Sequence, residues 1–263
     1  MRVAIILAAL LVPLASAATA QGQPICPDRP SKSTGACTAA AGHWQIETGL
    51  LDWAHGHQNT ARTDVTLVGS SLVKYGLNDR TDIELGVTPL EILRVHGGGT
   101  KERASGFGDT LLRLKHRLTP AGAPWEVALD PYLKVPTAGH QFGNGRFETG
   151  LVVPMNGSLG RSGLTLSVDP ELDLLADEDG RSRRAAMIQV VNLGAPLSDK
   201  FSVSAELWGM WNWDPAGTEK QASVDVSAAY QVNNDLQLDA GANFGLNRQT
   251  PLVEFYTGVS ARF

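Results

Sequence analysis

The stretch Leu252–Phe263 reads L-V-E-F-Y-T-G-V-S-A-R-F, and its alternation decides the fold. Val253, Phe255, Thr257, Val259, Ala261 and Phe263 share one parity and are mostly apolar. Glu254, Tyr256, Gly258, Ser260 and Arg262 share the other and are mostly polar. Side chains of a strand alternate between two faces, so this is a two-faced strand. A soluble sandwich or a membrane barrel could use it. The final aromatic favours the barrel, because a closing strand sets its last outward residue at the lipid interface. The same strand is expected to engage the barrel-assembly machinery, and lipid of a bacterial outer membrane is the expected surrounding.

Composition agrees with that reading. The chain has 263 residues, 43% hydrophobic and 19% charged, with 28 glycines and a formal net charge of −5. Low charge without high hydrophobicity suits alternating strands, and the acidic balance excludes a general nucleic-acid binder. Met1-Arg2, the apolar run Val3–Leu14 and the small residues Ala15-Ser16-Ala17 and Ala18-Thr19-Ala20 read as a secretory signal over residues 1–20. No later run approaches the roughly 20 apolar residues of a membrane helix, so membrane entry requires a barrel. Residues 21–42 read as a periplasmic N-terminal extension. In an oxidising compartment Cys26 and Cys37 are expected to pair across it. Their spacing is not that of a C-x-x-C redox motif.

From His43 to Phe263, alternating segments and turns predict an all-β fold, a transmembrane antiparallel up-and-down barrel of about 12 strands. Turns fall near Gly76, Thr119, Gly157, Ser198 and Asn233. Longer loops fall at residues 54–61, 95–106, 137–145 and 176–183. Pro131 predicts a local bulge, and the facing of residues 184–196 is ambiguous. By parity Trp44, Tyr75, Trp125, Phe201, Tyr230 and Phe263 point outward at one height, as an aromatic girdle would. Trp53, Phe147, Trp211, Trp213 and Phe255 lie near the other rim.

Parity sends the charges inward. The lumen-lining candidates are Asp109, Arg113, Lys115, Arg117, Glu126, Asp130, Lys134, Asp169, Glu171, Asp173, Glu206 and Glu254; Asp64 also takes the inward parity. Arg113, Lys115 and Arg117 form a cationic ladder that could face the anionic ladder Asp169, Glu171 and Asp173. Such a lumen is either a salt-bridged support or a polar path with a filter. Enzyme readings are weaker. His55-Gly56-His57 is a flexible-loop pair rather than a metal site, Gly97-Gly98-Gly99 lacks the context of a phosphate loop, and His116 has no serine on its face. No catalytic residue, metal ligand or cofactor is assigned.

The stretch Gly106–Leu118, G-F-G-D-T-L-L-R-L-K-H-R-L, resembles a G-x-G-D-x-x-x-x-x-K strand of the family named for the MetA pathway of phenol degradation. Tyr132-Leu133-Lys134-Val135-Pro136-Thr137, Gly150 and Gly258–Phe263 resemble later strands of that family. His116, where an aromatic is commoner, and the Cys26/Cys37 extension depart from it. The resemblance implies an outer-membrane barrel that acts as a channel or transporter for small, aromatic or apolar molecules. A barrel hydrolase acting on lipid or peptide, and a non-transporting structural barrel, are the alternatives.

Overall fold

In the computed structural model, residues 24–263 are described except 59, 60, 98 and 178. The signal reading of residues 1–20 lies outside them. Twelve strands form one closed antiparallel barrel. They are β1 (Trp44–Gln58), β2 (Ala61–Val68 and Ser70–Asn78), β3 (Thr81–Val87 and Leu90–Gly97), β4 (Thr100–Gly106 and Thr110–Arg117), β5 (Trp125–Val135) and β6 (Glu148–Val152 and Met155–Ser158). The other six are β7 (Thr165–Ala176), β8 (Arg183–Pro196), β9 (Phe201–Asp214), β10 (Gly217–Asn233), β11 (Leu236–Gly245) and β12 (Val253–Arg262). Each strand pairs with its chain neighbours, and β12 closes on β1 from Gln45↔Arg262 to His55↔Val253. Closure removes the unpaired edges that hydrocarbon does not tolerate.

The burial pattern follows the closing strand. Ser260 and Arg262 are buried, while Phe255 and Phe263 are exposed on the outside. Around the ring the polar parity is the enclosed one: Gln45, Lys74, Asp82, Lys115, Asp130, Asp169 and Ser223 are almost fully buried. Leu85, Leu114, Leu172, Leu207 and Leu238 stand exposed on the outer wall. That inversion of an ordinary globular core is what lipid on the outside and polar groups on the inside require. In β8, Ala186, Val190 and Asn192 are the enclosed residues, and Val191 and Leu193 face out. Its parity was ambiguous because Ala186 and Val190 are apolar residues on the inner face.

Three expectations change. Residues 54–58 and 100–106 are strand, not loop, so β1 to β4 rise beyond the ring as a ribbon. Pro131 produces no bulge: the β4–β5 register is the same at Arg113↔Tyr132 and His116↔Leu129 on either side of it. Only the ladder bonds that need its missing N–H are interrupted.

The third change is a row of irregularities at one height. β1 has a register shift between Gly49 and Leu51. β2 is broken at Gly69, which holds φ 71, a conformation glycine adopts without strain. β3 breaks at Thr88-Pro89 and β4 at residues 107–109. These breaks are lateral neighbours: Gly49 pairs with Ser70, the Ser70 and Thr88 hydroxyls meet at 3.1 Å, and Gly108 N–H donates to Thr88 O at 2.9 Å. One extra residue reverses the facing of everything beyond it. Asp64 therefore faces outward beside His55, not into the lumen, while Val65 and Leu67 turn inward opposite Ala54 and Asp52.

Candidate functional site

The stretch read as an N-terminal extension, whose relation to the lumen the sequence leaves open, lies inside the barrel. Residues 24–42 cross the lumen at the end where both chain termini of the barrel meet. An irregular buried segment must find partners for its own backbone N–H groups. The wall supplies carboxylates. Glu47 accepts from the N–H of Asp28 (2.8 Å) and Arg29 (3.1 Å). Glu206 accepts from Lys32 (3.1 Å) and Ser33 (3.0 Å), Asp169 from Thr34 (2.7 Å) and Asp82 from Ala39 (2.6 Å). The Asn156 side chain takes the N–H of Ala36 at 2.9 Å. Four inward acids, Glu47, Asp82, Asp169 and Glu206, thus serve as acceptors for the backbone of a plug that has no strand or helix of its own.

Three plug side chains complete the seat. The Asp28 carboxylate lies between Lys115 (2.7 Å) and Lys74 (2.8 Å), both essentially inaccessible to water. Burial alone would raise its pKa, but Lys115, Lys74 and Arg113 outweigh that and hold it well below the usual carboxylate range. Arg29 makes a two-pronged contact to Asp239, at 2.8 and 3.2 Å, and lies over the Tyr256 ring. Lys32 donates to Ser223 (2.9 Å) and Asp225 (3.0 Å) and covers the Trp208 ring at 4.6 Å. Cys26 and Cys37 are joined by a disulfide, and all three charged anchors lie between them.

Glycines make the room. A Cβ on Gly258 would overlap the Arg29 guanidinium, and one on Gly49 would come within 3.2 Å of it. A Cβ on Gly76 would overlap the backbone of Ala39 and Ala40, which pass it to form the Ala41↔Gly76 bridge.

The sequence-derived lumen residues fall into three groups. Lys115, Asp169 and Glu206 hold the plug directly. A second network lies beyond it. Arg113 pairs with Asp130 and reaches Glu84 at 3.5 Å, Lys134 joins Asp109 (2.9 Å) to Glu148 (2.8 Å), and Tyr132 donates to Asp173 at 2.7 Å. Lys32, Arg113, Tyr132, Lys134, Glu148 and Glu171 line a cavity of about 320 Å³ there. Glu254 accepts from Asn243 at 2.7 Å. Arg117 and Glu126 serve the rim instead: Arg117 donates to Asp79 O, and Glu126 accepts from Gly122 N–H, each at 2.6 Å. The cationic and anionic ladders do not pair with each other. Arg113 and Lys115 use Glu84, Asp130 and Asp28, whereas Asp169 and Asp173 use Thr34 and Tyr132.

Asp28, Arg29 and Lys32 carry no sequence signal that singles them out individually, and the parity of the wall residue Asp239 says only that it faces inward. The available signal was a lumen richer in acids than in bases, next to an extension reading D-R-P-S-K. At the opposite end of the barrel a mouth of about 1270 Å³ has a mixed lining: Ala54, Val65, Leu246, Pro251 and Leu252 are apolar, whereas His57, Thr63, Glu219, Gln221, Asn247, Arg248, Gln249 and Thr250 are polar or charged.

Of the girdle candidates, Trp44, Trp125, Phe201, Tyr230 and Phe263 are exposed on the outer wall. The Trp44 and Tyr75 rings lie 4.7 Å apart, Phe201 is cross-strand from Tyr230, and Trp44 exchanges backbone hydrogen bonds with Phe263. Toward the other rim the Trp53 and Phe255 rings stack at 6.2 Å.

The model of the family described as "Putative MetA-pathway of phenol degradation" matches residues 27–263. No curated protein matches the sequence. Among solved structures, the COG4313 outer membrane channel from Pseudomonas putida F1 is 16% identical, with a TM-score of 0.64 over 85% of this chain and 96% of that one. The beta domain of the Bordetella autotransporter BrkA has a TM-score of 0.52 at 11% identity, over 85% and 100%. The NanC porin has a TM-score of 0.50 at 10% identity, over 83% and 98%. At these identities the likeness is one of fold.

Proposed function

Because the chain belongs to the family of the MetA pathway of phenol degradation, we propose that it is an outer-membrane channel for small aromatic or apolar molecules. The observation that carries this reading is the plug. Residues 24–42 fill one end of the lumen with paired charge and hydrogen-bonded backbone. A solute that needs a continuous column of water meets that barrier. A small apolar solute can leave water for the apolar part of the mouth, Ala54, Val65, Leu246 and Leu252, which polar residues such as Gln221, Asn247 and Arg248 border. With short turns toward the periplasm, as in barrels of this type, the plug lies on the periplasmic side and the mouth faces out.

Proteoliposome uptake tests the reading. A small phenol should enter faster through the protein than a sugar alcohol of similar size. Equal rates for the two would overturn the apolar specificity. The plug also favours a second reading, a barrel that conducts nothing; it would be supported if neither solute entered above protein-free vesicles.

A further inference from the structure

Above the row of irregularities, β1 to β4 present two outward rows whose composition the channel reading does not use. The first row across the ladder is His55, Asp64, Arg94 and Arg103. The second is His57, Arg62, His96 and Lys101. Neighbouring strands lie about 4.8 Å apart and alternate residues about 6.7 Å apart, so eight side chains occupy a surface of roughly 14 by 7 Å. Arg62, Arg94, Lys101 and Arg103 carry full charge, against one carboxylate. That carboxylate, Asp64, is held by His55 at 3.0 Å. The other acids of these segments, Glu91 and Glu102, take the opposite facing, toward the lumen. All four cations are exposed, and none pairs with a carboxylate among the described residues. Directly below, the next outward row is Trp53, Thr66, Ile92 and Ser105, with Trp53 stacked on Phe255.

This layering has a direct chemical complement. A row containing stacked aromatics suits the depth where acyl chains meet headgroups. Cations immediately above it sit at the height of the headgroups, and three of the four are arginines, whose planar fork matches phosphate oxygens in pairs. Like charges crowded on adjacent strands repel one another unless an anion lies between them. We propose that the outward face of this ribbon is a docking site for the phosphorylated headgroup of an outer-leaflet glycolipid, of the lipid A type. The proposal rests on the outer-membrane placement and orientation given above, but not on conduction.

The test uses the full-length protein in phosphatidylcholine nanodiscs, titrated with bisphosphorylated lipid A, with the same lipid stripped of phosphate, and with inorganic phosphate. Native mass spectrometry reads the bound lipid. The phosphorylated lipid should bind at least tenfold more tightly than the stripped one. The combined variant R62Q/R94Q/K101Q/R103Q should remove that preference while keeping heat-modifiable migration. Should the combined variant fail to fold, R62Q/R94Q and K101Q/R103Q, made separately, should each lose about half of the preference on a logarithmic scale. Equal binding of the two lipids, or a preference that survives in folded variants, overturns the proposal. Displacement of the lipid by millimolar inorganic phosphate would show a free-anion site and overturn the lipid assignment. Failure of the channel reading would show in solute uptake, which these outward substitutions should leave unchanged. Failure of the membrane placement would show as protein absent from the outer-membrane fraction.

Discussion

Two parts of this barrel use the same kinds of residue in opposite ways. In the ring below the irregular row, Lys74, Lys115, Glu47 and Glu84 face inward, are buried, and find partners within a few ångströms, several of them on the plug. In the ribbon above it, Arg62, Arg94, Lys101 and Arg103 face outward and are exposed. The strands are continuous in sequence through both parts. A single displaced residue at Gly69, or the break at Thr88-Pro89, separates the two regimes. A charge in a barrel strand is therefore read from its position relative to the bulges, and residue type alone says nothing about its facing.

The comparison can be broken most severely from the plug. Deleting residues 24–42 should raise single-channel conductance by about tenfold or more, since pore conduction follows open cross-section and polar lining; unchanged conductance in a folded deletion protein would refute the plug as the barrier. Next in size is Asp28→Ala, which leaves Lys74 and Lys115 short of a partner. Breaking a buried ion pair costs about 3–5 kcal/mol, so hydrogen exchange of residues 24–42 should accelerate by two orders of magnitude or more while the strands stay protected. Gly258→Val keeps every charge but fills the space of Arg29. Overpacking costs about 1–3 kcal/mol, and the variant should show more frequent open events than wild type in planar bilayers. By contrast, any single Gln substitution among the four ribbon cations should change the unfolding free energy, read from denaturant titration, by no more than about 0.5 kcal/mol, the range of exposed positions.

The smallest effect is a pH dependence. Asp28 has a folded pKa below its ordinary value of about 3.9. Its contribution is then complete above that ordinary value and is lost as pH falls through the folded one. The difference in plug protection between wild type and Asp28→Asn should stay level from pH 8 to 5 and shrink below about pH 4. A difference that already shrinks near neutrality would mean that Lys74 and Lys115 do not dominate Asp28 in the presence of Glu47 and Glu84.

Most of the ring could be read from the chain. Leu112, Leu114, Asp109, Arg113 and Lys115 declare their faces because lipid on one side and an enclosed polar space on the other enforce a period of two. Legibility failed where that contrast weakens. Ala186 and Val190 hide the facing of β8, and strict alternation carried through Gly69 sends Asp64 to the wrong side. The plug was illegible for a different reason. Asp28, Arg29 and Lys32 lie in a segment without periodicity, and their partners Lys115, Asp239 and Asp225 are 87, 210 and 193 residues away.

What the sequence by itself determined is the repeating two-faced strand, ending in Leu252–Phe263, and hence a closed barrel with a charged interior; alternation is local, and the membrane makes it obligatory. Only the tertiary structure decided which charges meet inside and which face outward. Both outcomes depend on contacts across the lumen and on single-residue shifts whose effect spreads along whole strands, and neither leaves a local pattern to be read.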